Sequence, residues 1–205
     1  MKTPPNQRSA LRFGNGLLPW WAGLLAVAFL APRLLCAEPE PPVAVSPEHR
    51  IKAAYLLNFT RFVTWPGRAF LNAGAPLTIG VAGQNPFGSV LQQIIEGEKV
   101  NGRPIVIREF APGEDLTQCH VLFIPRAESS RVPAILASLR DAPVLTVSET
   151  EDFLEQNGMI NFLVQDKKVR FEIGQKAAEQ AGLVLSSRLL KLAVRVITNK
   201  SETGK

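Results

Sequence analysis

Several cationic side chains stand where guanidinium and ammonium groups could act together. Arg188, Lys191 and Arg195 recur at i, i+3 and i+7, which on a helix makes one basic stripe. Arg170 lies in the run Lys168–Ile173, on the side opposite Val169, Phe171 and Ile173, and Arg61 falls between Phe59 and Phe62. Guanidinium groups recognise carboxylates and phosphates through paired hydrogen bonds, so Arg61, Arg170 and Arg188 are candidates for binding an anion or a partner. The plainer reading is a set of solvated faces, with Arg170 bridged to Glu172 or a neighbour. Both readings stand at the level of sequence.

Other chemistries leave no trace. The chain has no G-x-S-x-G elbow, no H-E-x-x-H, no C-x-x-C and no G-x-x-x-x-G-K-[ST]. No catalytic residue, cofactor or metal is therefore predicted. Cys119 and His120 are adjacent, but neighbours on a strand point to opposite faces and could not share one ion. Cys119, in the apolar run CHVLFI, reads as a buried small hydrophobe. Gly80-Val-Ala-Gly83 sits between a strand and a helix, where phosphates often bind, yet two glycines also suit close packing of a strand end.

The elements that must carry these residues begin with IKAAYLLNFTRFVTWP, Ile51 to Pro66. Ile51, Tyr55, Phe59 and Phe62 recur at helical spacing with Leu56 and Val63 beside them, so a wide apolar face is expected. Ser46-Pro47 supplies a cap and a first-turn proline, and Pro66 ends the helix. Strands are expected at 77–82, 105–110, 120–124 and 144–147, with helices at 87–95 and 132–139 and a short helical segment at 150–156. Such alternation predicts crossovers and a mainly parallel sheet. Met159–Val164 and Lys168–Ile173, joined by Gln165-Asp166-Lys167, should form an antiparallel hairpin. Two helices, 175–181 and 187–198, are expected to close the domain. The predicted fold is α/β: a mainly parallel sheet flanked by helices, with an antiparallel hairpin near the C-terminus.

The first 37 residues belong to a different regime. Lys2, Arg8 and Arg12 precede an apolar run from Leu17 to Ala31, and Leu35-Cys36-Ala37 offers a small residue for cleavage. This is the layout of a cleaved secretory signal peptide, and it predicts that the mature protein is exported. The rival readings are an uncleaved anchor, although Pro19, Pro32 and Arg33 interrupt the roughly 20-residue span required, and a lipoprotein signal at Cys36, although Leu35 is bulky for that site. Residues 38–46 read as a proline-rich linker, 47–198 as one domain, and 199–205 as a loose polar tail. Loss of four basic residues with the signal reduces the formal charge from +5 to about +1. Nucleic-acid binding, which wants a strongly basic domain, is not predicted. Cys119 is then a lone cysteine, so no internal disulfide is available.

Together, KAAYLLNFTRFVTWP, LTIGVAGQNPFG, CHVLFIP, PVLTVSETEDFLEQNGMINFLV and VRFEIGQKAAEQAGLVLSSRLLKLA resemble the YfiR family of bacterial periplasmic proteins over Glu48 to Val196. The resemblance implies an α/β sandwich, often dimeric, without enzymatic activity. It implies repression of a YfiN-type inner-membrane diguanylate cyclase through its periplasmic sensing domain, relieved when an OmpA-like lipoprotein of the YfiB type sequesters the repressor. It also implies nucleotide monophosphate binding at arginines near the VRFEI strand, to which Arg170 and Arg188 correspond. Paired cysteines of the family are not matched, since Cys119 stands alone.

Two functions follow as expectations. One is a periplasmic repressor that binds the sensing domain of a membrane diguanylate cyclase or other sensor. The other is a small-ligand-binding accessory of a sensor kinase, using the crevice that a parallel sheet provides.

Overall fold

The structure is a computed structural model that describes residues 46–198. The predicted signal segment 1–37, the linker up to residue 45 and the tail from 199 lie outside the described residues.

The first helix, α1 (Pro47–Phe62), begins where expected. The Ser46 hydroxyl accepts the His49 N–H, and Pro47 opens the first turn. A short β1 (Val63–Thr64) follows, then β2 (Leu77–Ala82), α2 (Ser89–Ile95), β3 (Lys99–Val100), β4 (Arg103–Phe110) and β5 (Val121–Ile124). The second half runs α3 (Val132–Ser138), β6 (Leu145–Ser148), β7 (Ile160–Gln165), β8 (Lys168–Gly174), α4 (Gln175–Gln180), β9 (Val184–Leu185), α5 (Ser187–Leu192) and β10 (Arg195–Ile197).

Eight strands form one sheet in the order β10-β8-β7-β6-β5-β2-β4-β3, and β1 pairs with β9 in a separate two-stranded ribbon. All pairings in the large sheet are parallel except β7–β8 and β3–β4. The mainly parallel α/β sheet with its C-terminal hairpin is as the sequence predicts. Asp166 and Lys167, both at positive φ, form the two-residue turn that sets the hairpin register, Phe162 opposite Phe171 and Leu163 opposite Arg170.

One face of the sheet packs against α1. Phe59 is fully buried, with its ring 5.8 Å from Phe162 and 5.2 Å from Phe171 between centroids, and Tyr55 lies edge-on to Phe171 at 5.4 Å. Residues of α2, α4 and α5 join this core. The opposite face has a smaller core of Phe110, Cys119, Leu122 and Phe153 under α3. Gly80 belongs to that packing: a Cβ there would come within 2.8 Å of Phe110 and 3.0 Å of the Cys119 sulfur.

Three expectations are corrected. Residues 151–157 are turns rather than a helix, because Asp152 and Asn157 adopt φ of 55° and 68°, which a right-handed helix excludes. The last helix stops at Leu192. Beyond it the Val194 N–H donates to the Phe171 carbonyl at 3.0 Å, and residues 195–197 join the sheet as β10 beside β8. The stripe of Arg188, Lys191 and Arg195 therefore does not exist. Finally, Ile51 is 46% exposed while Lys52 is buried at 3%, so the inward face of α1 is turned at its first two turns.

Candidate functional site

The three arginines singled out by sequence do not converge. Arg61, in the last turn of α1, bonds Glu98 at 2.5 Å, with both side chains largely open to solvent. Arg188 lies near it: the Ser186 N–H donates to the Phe62 carbonyl at 2.9 Å, and the Arg188 guanidinium stands 6.0 Å from the Phe62 ring centroid. Arg170 is elsewhere. Its neighbours Val169 and Phe171 pack on the α1 side, so alternation directs Arg170 to the opposite face of the sheet.

That opposite face is covered by α3 only over its middle strands. The other four helices bury their apolar residues in the α1-side core. Over β7, β8 and β10 the opposite face carries Asn161, Leu163, Arg170, Glu172 and Arg195. Ile197 packs against the smaller core, and Arg195 also reaches Glu155 of the 151–157 turns at 3.6 Å. Glu172 accepts two hydrogen bonds from Arg195, at 2.9 and 2.8 Å, a bidentate pair that raises the arginine further above its ordinary value. Glu172 is thus engaged by Arg195, and among the described residues Arg170 makes no ion pair. The Asn161 Oδ1 is buried and has no hydrogen-bond partner, an unusual condition for a polar atom.

A second feature escaped the sequence. Lys52 reaches from α1 to both Glu48, one turn earlier, and Glu149, just beyond the end of β6. Arg126, after β5, donates its backbone N–H to the Glu149 carboxylate at 3.3 Å and its guanidinium to the Glu149 carbonyl at 3.2 Å. The hydrogen bond from Lys52 holds the Glu48 carboxyl below the usual carboxylate range. These residues, with His49 and Phe162 to Val164, line a cleft of about 330 Å³ at the carboxyl ends of the parallel strands. The signal was present: Lys52 is four and seven residues before Leu56 and Phe59, on the buried stripe.

Cys119 and His120 serve the fold. The Cys119 thiol is buried, contacts the Leu116 carbonyl at 3.1 Å and is pushed up to about 12 by burial. His120 Nδ1 accepts the Thr78 N–H at 3.1 Å, which places the ring proton on Nε2, 3.0 Å from the Ala69 carbonyl that accepts it. Among the described residues no three His, Cys, Asp or Glu side chains gather to hold a metal ion, and no helix is long and apolar enough to cross a membrane.

Comparison with known proteins places this architecture. The family model described as YfiR/HmsC-like matches residues 49–194, which is the whole sheet except the last strand. No curated protein matches the chain in sequence. The solved structure of a conserved domain protein from Vibrio cholerae O1 biovar El Tor is similar in fold, with a TM-score of 0.50, 11% identity and 71% of this chain covered. The match spans 60% of the Vibrio chain. An ABC domain in complex with L-Trp from Streptococcus pneumonia matches at a TM-score of 0.45 and 12% identity, over 59% of this chain and 55% of that one. The chain belongs to the YfiR/HmsC-like family, a family of periplasmic regulators.

Proposed function

We propose that this protein is a non-enzymatic periplasmic repressor that binds the periplasmic sensing domain of an inner-membrane signalling protein, a diguanylate cyclase. The observation that carries the reading is the family match across residues 49–194. An OmpA-like lipoprotein that sequesters the repressor, and a second copy of the chain, are further partners under this reading.

The partner surface is the helix-free sheet face over β7, β8 and β10. Arg170 offers there a guanidinium that makes no ion pair among the described residues, and Leu163 beside it offers apolar area. Arg61 and Arg188, on the α1 side, belong to a separate surface. The two faces are told apart by single substitutions. The partner is first cross-linked in the periplasm and identified by mass spectrometry, and its soluble domain is then titrated. Arg170→Ala is expected to weaken binding by roughly 1.5–3 kcal/mol, about ten- to a hundredfold, with an unchanged melting temperature. Arg188→Ala should bind as wild type. Undiminished binding by Arg170→Ala would remove the open face from the reading.

A second reading, a ligand-binding accessory of a sensor kinase, is favoured by the cleft at the carboxyl ends of β5, β6 and β7. Ligands of α/β sheets bind at such ends. Calorimetry with nucleotides and aromatic amino acids decides it: saturable heat abolished by Lys52→Met supports the cleft, and no heat excludes these ligand classes.

A further inference from the structure

At the amino ends of the strands, one histidine, just before β5, ties β2 and β6 to the loop that follows α1. The His120 N–H donates to the Thr78 carbonyl at 2.9 Å, and the His120 carbonyl accepts from the Leu145 N–H at 2.8 Å and from the Trp65 indole at 3.1 Å. The His120 backbone thus joins the starts of β2 and β6 to the chain leaving α1. The ring does the rest, through the Thr78 N–H on one nitrogen and the Ala69 carbonyl on the other. Phe70 stacks on the ring at 4.4 Å between centroids and 24° between planes. The Arg103 guanidinium covers the far side of Phe70, 3.9 Å from its centroid, and donates to the carbonyls of Asn72 and Ala75 at 2.9 and 2.7 Å. The loop from Pro66 to Ala75 is therefore clamped by a layered stack of Arg103, Phe70 and His120.

That clamp works only with a neutral ring. A second ring proton would turn Nδ1 from acceptor into donor, directly against the Thr78 N–H, and would place a cation behind Phe70 with Arg103 already on its other side. Among the described residues no carboxylate compensates. Of the elements packed around the ring, β4 brings Arg103, and the segment leading into β5 brings the Cys119 thiol, which is buried in the core on the other face. The short helical turn after Pro66 brings Arg68, which points to the Ala181 carbonyl.

We propose that His120 is an acid-sensitive latch on the loop 66–75, neutral and closed near pH 7 and protonated and open in acid. Opening would uncover Phe70 and free the segment that carries Leu71, a leucine 99% exposed in the closed state. Burial holds the imidazole below its ordinary range; the hydrogen bond to the Ala69 carbonyl opposes this in part, and Arg103 adds to it. The unfolded or opened state therefore binds the proton first. The latch is at full strength above the ordinary imidazole value of about 6.5 and weakens as the pH falls below it, down to the lower value of the closed state.

Hydrogen–deuterium exchange of the full chain, corrected for intrinsic rates, tests this at about pH 7.5 and pH 5. Amides of Ala69, Phe70, Ala75 and Thr78 should lose protection at least about tenfold in acid while those of α1 keep theirs. His120→Asn, which retains an acceptor for the Thr78 N–H, should show no such change. Unchanged protection in the wild type, equal loss in His120→Asn, or loss shared with α1 would each overturn the latch. An NMR titration of the wild-type histidine rings gives an answer without any variant. The His120 ring must titrate together with loop opening, and a ring that stays neutral while the loop opens would refute it.

Discussion

Replacing Lys52 with methionine is expected to lower the unfolding free energy by about 3 kcal/mol, at the low end of what removal of one partner from a buried ion pair costs. The ammonium is 3% exposed as a residue and stands between two carboxylates. Methionine would occupy the same channel but leave Glu149, whose side chain is 14% exposed, with only the Arg126 N–H on its carboxylate. Glu48 is open enough to regain water, which keeps the cost from rising further. Urea unfolding at neutral pH measures the difference, and a loss under about 1 kcal/mol would class the cluster with ordinary surface pairs. The pH dependence has a definite sign. Lys52 lowers the folded-state value of Glu48, so its contribution is present above the ordinary carboxylate range and disappears as the pH falls through the lowered value. The gap between wild type and Lys52→Met should accordingly narrow in acid.

Phe59→Ala is expected to cost about 3–5 kcal/mol, since a fully buried ring leaves a cavity that its neighbours cannot fill. Tyr55, Phe162 and Phe171 all contact it, from one turn of the helix and two strands of the sheet. The hairpin and α1 should loosen together, so denaturant unfolding is expected to shift to a lower midpoint with near-UV circular dichroism reduced at zero denaturant. A loss below about 1.5 kcal/mol would mean that α1 is not the element on which the sheet closes.

The strands were legible wherever burial alone sets their pattern. β2, β5 and β6 are covered on both faces and read as short aliphatic runs between turn residues. The alternation of β8 placed Arg170 outward correctly. What was not legible depends on contacts distant in sequence. Lys52 shares the buried stripe of Leu56 and Phe59, but Glu149, the carboxylate that lets it be buried there, lies 97 residues away and leaves no local mark. Arg195 leaves its predicted helix because Phe171 and Glu172 offer hydrogen bonds to the chain at Val194 and Arg195. For the same reason the candidate arginines could be named one by one, while their separation onto two faces of the sheet required the sheet itself.

The proposed repression of a membrane signalling protein from the periplasm is tested most directly by the cellular level of cyclic di-GMP in a strain from which the gene has been deleted. The level is expected to rise, together with surface adhesion, to return on complementation with the wild-type chain, and to stay high with Arg170→Ala secreted in equal amount. Levels that match the parent strain both at rest and under envelope stress would contradict the account.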